Sequence, residues 1–206
     1  MLKELFESTF YRTFPSKKGT LVQVDEHFYT GRFSLYDPFA CSRCPVCSSG
    51  FGAKENLIVE AVTTVSCADV SQIFQFVADD TGEHCDKILA DESIVALVEM
   101  TCSEERYIGD SAKGKRSKAR GQLLNTLLLF RQNLGVSRFL ESRDKRFLVF
   151  SWKETYVGVD REDPIEQGFI PFTDFADSTY SPDNVQLYDY GFYFKEIRYP
   201  DVFKWG

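Results

Sequence analysis

The chain has 206 residues and a formal net charge of -7, with 43% hydrophobic and 15% aromatic residues. This length suffices for one full-sized domain with a substantial core, or for one domain with a small appended module, and the composition excludes a largely disordered chain. The acidic balance argues against a protein that coats nucleic acid with its whole surface, because binding to phosphate depends mainly on Lys and Arg. A localised basic patch is compatible with this charge.

The N-terminal residues mix charged with apolar side chains and lack the long uncharged core of a signal peptide. No later run has the length and freedom from charge that a membrane span needs. The sequence therefore predicts a soluble, cytoplasmic protein without a membrane partner. Its six cysteines are expected to be reduced thiols or metal ligands rather than disulfides.

Residues 1–55 form the predicted N-terminal segment. The sequence predicts a helix within 1–13, short strands at 21–24 and 27–29, and then an irregular cysteine-bearing loop. Cys41, Cys44 and Cys47 have C-x2-C-x2-C spacing, which directs thiols at one ion, and structural Zn²⁺ takes four ligands. Cys67 is the fourth ligand we predict. Other residues available for that place are His84, Cys85 and Cys102. An iron-sulfur cluster, or buried thiols without metal, are the open alternatives.

The segment 56–155 begins with a predicted strand at 57–62 and a short helix at 71–77. Two apolar runs follow, 85–89 and 94–101, joined by the polar turn 90–93, which is typical of a hairpin. Asp86 opens the first run and Glu99 lies near the end of the second, so the two carboxylates are expected at one edge of a sheet. Such a pair can hold Mg²⁺ or Mn²⁺. Ordinary charges at strand ends would give the same pattern.

A basic segment precedes a predicted helix that carries Gln122 and continues to Phe130, and a further strand is predicted at 146–152. Cations beside a metal site would attract a phosphate backbone, although a solvated helix face or an acidic protein partner would also account for them. The predicted nucleic-acid-binding residues are Lys113, Lys115, Arg116, Lys118 and Arg120.

The order of a strand with Asp86, a strand with Glu99 and a helix with Gln122 resembles the core of the PD-(D/E)xK nuclease superfamily. The resemblance covers about a quarter of the chain and implies a restriction-endonuclease-like fold, a bound Mg²⁺ or Mn²⁺ and catalytic roles for Asp86, Glu99 and Gln122. Thr101 stands where the family places its catalytic lysine. The resemblance allows that lysine to come from elsewhere, and we predict Lys118, with Lys113 and Lys115 as alternatives.

Residues 156–206 are rich in aromatic side chains and are expected to pack on the core or on a partner. The predicted fold is therefore α/β, or α+β, with a mixed central sheet flanked by helices, a cysteine-bearing N-terminal segment and an aromatic C-terminal extension.

The predicted function is a divalent-metal-dependent nuclease acting on nucleic-acid phosphodiesters, with DNA and RNA both open. The alternative is a non-catalytic accessory or adaptor protein that keeps a degenerate nuclease-like fold and binds a protein partner. Thr101 and the acidic balance favour the alternative. An α/β domain with an accidental motif match is the third hypothesis.

Overall fold

A seven-stranded mixed sheet with helices packed against it forms the centre of the molecule, which confirms the predicted α/β class. This computed structural model describes residues 1–18, 22–37, 55–78, 82–103, 105–109, 114–155 and 188–206. The strands are β1 (Glu26–Leu35), β2 (Leu57–Asp69), β3 (Lys87–Ala90), β4 (Ile94–Ser103), β5 (Lys145–Glu154), β6 (Tyr193–Arg198) and β7 (Val202–Trp205). The sheet order is β1-β2-β3-β4-β5-β6, and β7 pairs with β2.

The helices differ in length and regularity. The N-terminal one has three parts, which are α1 (Leu2–Leu5), a π-helical turn (Phe6–Phe10) and α2 (Tyr11–Thr13). The others are α3 (Val70–Gln75), α4 (Lys115–Gln132) and α5 (Leu134–Glu141), and a 3-10 turn spans Glu105–Tyr107. No helix within the described ranges is both long enough and apolar enough to span a bilayer.

The centre of the sheet is the part that local sequence signals predict. β3 ends at Ala90 and β4 begins at Ile94, so the polar turn falls where the pattern placed it, and the two strands are antiparallel. β4 then pairs in parallel with β5 across ten residue pairs. A parallel pair needs a crossover connection, and α4 and α5 supply it.

Two predictions near the N-terminus need correction. Residues 22–24 are not in a strand, because side chains satisfy the backbone here: the Val24 N–H donates to Glu7 Oε1 (2.9 Å) and the next N–H donates to Gln72 Oε1. The strand predicted at 27–29 extends instead to Leu35. It passes through a bulge at Gly31, whose φ of 76° suits glycine.

β2 folds back over the sheet. Its first residues, Leu57 to Ala61, pair with β1 and β7, and its last residues pair with β1 and β3. A straight strand of this length would span about 40 Å. Yet the two ends of β2 lie close to each other, because both lie near the same part of β4. Asn56, just before β2, donates to Cys102 Sγ (3.1 Å). Asp69, at the other end, pairs with Lys87, which in turn pairs with Val98 on β4. The turning point is exposed, with Val62 at 89%.

Two hydrophobic clusters lie on the two faces of the sheet. The larger one packs the N-terminal helix, α3, α4 and α5 against one face and includes Phe6, Phe10, Phe130 and Phe150. The second lies on the other face, which is covered by the folded β1–β2 ribbon and β7, and includes Trp205. The described part of the C-terminal segment is therefore integrated into the sheet as β6 and β7.

Candidate functional site

Helix α4 fixes the segment that leads into Asp86. Gln122 Nε2 donates to the His84 carbonyl (3.1 Å), and Asn125 Nδ2 donates to the Glu83 carbonyl (2.9 Å). The Cys85 N–H donates to Thr126 Oγ1 (2.9 Å). One face of α4 therefore binds three successive residues of backbone. Gln122 was predicted as a catalytic residue. It contacts His84, two residues before Asp86, and is therefore placed to orient this segment.

Asp86 lies at a bend immediately before β3, with its carboxylate against β4. The Asp86 N–H donates to the Val98 carbonyl (2.9 Å), and the Met100 N–H donates to Asp86 Oδ2 (2.6 Å). These two bonds bracket Glu99, so the structure brings together the two carboxylates that the sequence paired. Burial and the negative charge of Asp37 raise the pKa of Asp86 to about 7, against the lowering effect of the Met100 hydrogen bond.

Glu99 is a buried acid, and one of its oxygens has no hydrogen-bond donor in the part of the chain that the structure describes. Its exposed fraction is 8%, and Oε2 has no hydrogen-bond partner among the described residues. Burial, followed by the charge of Asp86, raises the pKa of Glu99 well above its usual range. A buried carboxylate normally has hydrogen-bond donors or a paired cation. A cation placed beside Glu99 would supply the partner that this oxygen lacks among the described residues.

A third carboxylate, Asp37, acts on both acids and was missed at the sequence level. It follows β1, and its N–H donates to Asn56 Oδ1 (3.1 Å) at the start of the folded β2. Its negative charge raises the pKa of Asp86 and of Glu99. The available signal was Gly31, because a glycine inside a strand indicates a bulge that redirects the chain.

Two lysines border the acidic pair. Lys118 on α4 forms an ion pair with Glu83 (Nζ–Oε1 3.2 Å), and its charge opposes the rise of the Glu99 pKa. Lys87 pairs with Asp69 (Nζ–Oδ2 2.6 Å) and opposes the rise of the Asp86 pKa. Of the lysines that we proposed in place of Thr101, Lys118 is thus close enough to Glu99 to influence its charge.

The side chains of the basic segment fall into two groups, those that contact β6 and those that face solvent. Arg116 contacts Glu196 on β6 (Nη2–Oε1 2.9 Å), and the Arg120 guanidinium lies 5.1 Å above the Phe194 ring. These two side chains fasten α4 to β6, whereas Lys115 and Lys118 are exposed. Lys113 lies outside the described residues.

The predicted zinc site falls mostly outside the described residues, because Cys41, Cys44 and Cys47 all do. Cys67 is buried in the cluster beneath the β1–β2 ribbon, and burial raises the pKa of its thiol to about 12. Cys85 is buried as well, and burial also raises its pKa. Within the described ranges, both thiols pack as small apolar side chains.

The donor set at the Asp86–Glu99 pair fits a hard divalent cation. No three Asp, Glu, His or Cys side chains converge as a complete cage in the described part of the chain. Mg²⁺ does not require one, because it is commonly held by one or two carboxylates and keeps water or phosphate oxygens as its remaining ligands. The unpartnered Glu99 Oε2 is the observation that favours this fit.

Comparison of the chain with protein-family models, with curated proteins and with solved structures finds no match in any of the three. The function of the site is therefore inferred from its own residues. These are two adjacent buried acids with raised pKa values, a third acid nearby and a lysine on the neighbouring helix.

Proposed function

We propose that this protein is a divalent-metal-dependent nuclease of the PD-(D/E)xK type, with Asp86 and Glu99 as the residues that hold Mg²⁺ or Mn²⁺. The observation that supports the proposal most is the buried Glu99 with its unpartnered Oε2 beside Asp86. Two like charges at this depth repel each other, and a divalent cation would relieve both the repulsion and the burial cost.

The bound cation would polarise a phosphodiester and lower the pKa of water. Asp86 would hold its metal-binding geometry through the Met100 N–H, which occupies Oδ2. Glu99 would present Oε2. Lys118 would supply positive charge to a phosphate from the first turns of α4, in place of the lysine absent at Thr101. Gln122 would hold the segment before Asp86 in place.

One observation supports the non-catalytic alternative. Arg116 and Arg120 are engaged with β6, which leaves fewer cations of the basic segment facing solvent. Together with Thr101, this favours an accessory protein that keeps the scaffold and binds a protein partner. The two hypotheses make opposite predictions for divalent-ion binding at Glu99.

The test is cleavage of labelled single- and double-stranded DNA and RNA with Mg²⁺ or Mn²⁺ by the parent chain and by Asp86→Asn and Glu99→Gln. We expect either substitution to reduce the cleavage rate by at least about a hundredfold, since a metal ligand contributes several kcal/mol to the transition state. Glu92→Gln, an exposed acid at the opposite end of the β3–β4 hairpin, is the matched control and should cleave normally.

A second readout does not depend on activity. Millimolar Mg²⁺ or Mn²⁺ should raise the thermal midpoint of the parent and of Glu92→Gln, but not that of Glu99→Gln, because a ligand that binds only the folded state stabilises it. Equal cleavage by all four proteins would contradict the assignment. No cleavage and no thermal response in the parent would favour the accessory protein.

A further inference from the structure

A cavity of about 320 Å³ lies on the face of the sheet that the folded β1–β2 ribbon covers. Its apolar floor, defined as Leu35 and Cys67, belongs to the second hydrophobic cluster and is buried. The acidic pair does not line it. Glu99 precedes Met100 of the same cluster on β4, so its side chain points to the opposite, helix-covered face. The cavity is therefore a separate feature of the fold.

An aromatic wall, defined as His27, Tyr29 and Tyr36, rises from this floor. Tyr29 is half-buried and stacks on Phe33 with ring centroids 4.6 Å apart. Tyr36 is 47% exposed, so its ring borders solvent. The wall therefore connects the buried floor with the mouth of the cavity. Aromatic rings pack well against apolar groups, and the negative charge on their faces also attracts cations.

Two acids and one lysine are among the residues that line the cavity. Asp69 is neutralised by Lys87 (Oδ2–Nζ 2.6 Å). Asp25 accepts instead from two neutral amides, Gln72 Nε2 (2.8 Å) and Gln23 Nε2 (3.5 Å), and no cation pairs with it within the described ranges. Asp25 is exposed, which places its charge at the mouth. A carboxylate can accept about four hydrogen bonds, so this one has capacity left for a further donor.

The lining changes from apolar at the floor to negatively charged at the mouth, and a ligand that fits it needs the matching two ends. An anionic ligand would be repelled by Asp25. An inorganic cation would leave the apolar floor without a contact. An ammonium group on an apolar stem satisfies both ends, because it donates hydrogen bonds to a carboxylate while its stem packs on the floor and the wall.

We infer that the cavity binds a small primary alkylammonium ion, with its stem on the apolar floor and its ammonium group at Asp25. The cavity volume is at the lower end of the range for small-molecule sites, which suits a stem of about six carbon atoms. A primary ammonium offers three N–H donors to the carboxylate, whereas a quaternary one offers none. The inference does not depend on the proposed nuclease activity, since none of the residues assigned to that activity lines the cavity.

The test is a titration of the full chain with n-hexylammonium at pH 7.5 without divalent ions, followed by NMR chemical shifts of the protein. The matched probes are n-hexanol and n-hexanoate, which keep the stem and change only the charge of the head group. The parent should bind hexylammonium at least about fivefold more tightly than hexanol, and hexanoate more weakly still. Added NaCl should weaken the binding of hexylammonium but not that of hexanol, because salt screens the charge at the mouth.

Asp25→Asn should weaken the binding of hexylammonium about fivefold and leave that of hexanol unchanged, since it removes the charge but keeps an acceptor for Gln72. Glu92→Gln, an exposed acid outside the cavity, is its control. Tyr36→Ala should weaken the binding of hexylammonium about threefold, whereas Tyr36→Phe keeps the ring and should bind as the parent does. Phe28→Ala is the control for the wall, because Phe28 is exposed on β1 and does not line the cavity.

The acidic pair also attracts cations, so a further variant separates the two places. Glu99→Gln should bind hexylammonium as the parent does if the ligand lies in the cavity. Loss of binding in Glu99→Gln, with normal binding by Asp25→Asn, would overturn the cavity assignment. Equal binding of hexanol and hexylammonium, or no binding of hexylammonium by the folded parent at millimolar concentration, would overturn it as well. None of these results depends on whether the protein cleaves nucleic acid.

Discussion

The two ends of the β3–β4 hairpin each hold a buried acidic side chain, and the two differ in the number of hydrogen bonds that they accept. At the turn, Asp91 is 6% exposed and accepts five hydrogen bonds. Four are between 2.6 and 2.8 Å, from the N–H groups of Ser93 and Ile94, from Thr63 Oγ1 and from Trp205 Nε1, and the fifth comes from Ser93 Oγ (3.3 Å). At the other end, Glu99 is 8% exposed and its Oε2 has no partner among the described residues.

Their pKa values shift in opposite directions for this reason. Burial alone would raise the pKa of Asp91, but hydrogen bonds led by those from Thr63 and Trp205 outweigh burial and lower it. For Glu99, burial and the Asp86 charge act together and raise the pKa. Burial alone therefore does not determine the direction in which the pKa of an acid shifts. The donors around it separate an acid that stabilises the fold from one that is available to a cation.

The largest expected effect is on the turn. Asp91→Ala should lower the free energy of unfolding by about 4 kcal/mol, because it leaves the donors of Thr63, Trp205 and two backbone N–H groups without their acceptor. Urea unfolding measures this. The exposed neighbour variant Glu92→Ala is the control and should change stability by less than about 0.5 kcal/mol. A small loss in Asp91→Ala would remove the contrast between the two ends.

The next effect is the pH dependence of stability at the acidic pair. The folded-state pKa values of Asp86 and Glu99 are raised, so the folded protein binds more protons than the unfolded chain between about pH 4 and pH 7. The contribution of Asp86 is complete below about pH 4 and is lost as the pH rises through its folded pKa of about 7, by about 4 kcal/mol.

Urea midpoints measured without divalent ions across this range test the loss, after subtraction of the profile of an Asp86→Asn, Glu99→Gln double variant. Mg²⁺ should restore stability at the upper end of the range in the parent only. Asp91 has the opposite sign, and its contribution is lost as the pH falls below about 4. A parent profile identical to that of the double variant would show that the acidic pair has ordinary pKa values.

The smallest expected effect concerns the helix that orients Asp86. Gln122→Ala removes the hydrogen bond to the His84 carbonyl and should lower the free energy of unfolding by about 1 kcal/mol. If Gln122 is a positioning residue, Gln122→Ala should also bind Mg²⁺ more weakly. Gln122→Glu should bind Mg²⁺ as weakly as Gln122→Ala does, since the His84 carbonyl needs a donor that a carboxylate does not supply. Gln132→Ala, an exposed glutamine at the far end of the same helix, is the matched control.

The hairpin and its pair of acids could be predicted because the signals are local. A short polar turn fixes the pairing of two apolar runs, and the position of Asp86 beside Glu99 follows from that pairing. The helix and the parallel strand after it follow from the apolar spacing of Leu123, Leu127 and Phe130 and from the crossover that a parallel pair needs.

The folded ribbon could not be predicted, because it depends on contacts between distant residues. Asp37 meets the acidic pair only because β2 turns back, and β2 is held there by β7, about 144 residues later in the chain. In the sequence, Asp91 looks like an ordinary polar turn residue. Its burial depends on contacts such as the one with Trp205, which is distant in the chain.

The parallel pairing of β7 with the first arm of β2 also sets the order in which the protein matures. Residues 58–61 can pair with β1 early, but they meet their β7 partners only after residues 202–205 have been synthesised. A nascent chain can form the β3–β4 hairpin and its two acids early, since those contacts are close in sequence. The first arm of β2 gains its β7 partner about 144 residues later in the chain, so the hairpin and its two acids can form before this arm is fully paired.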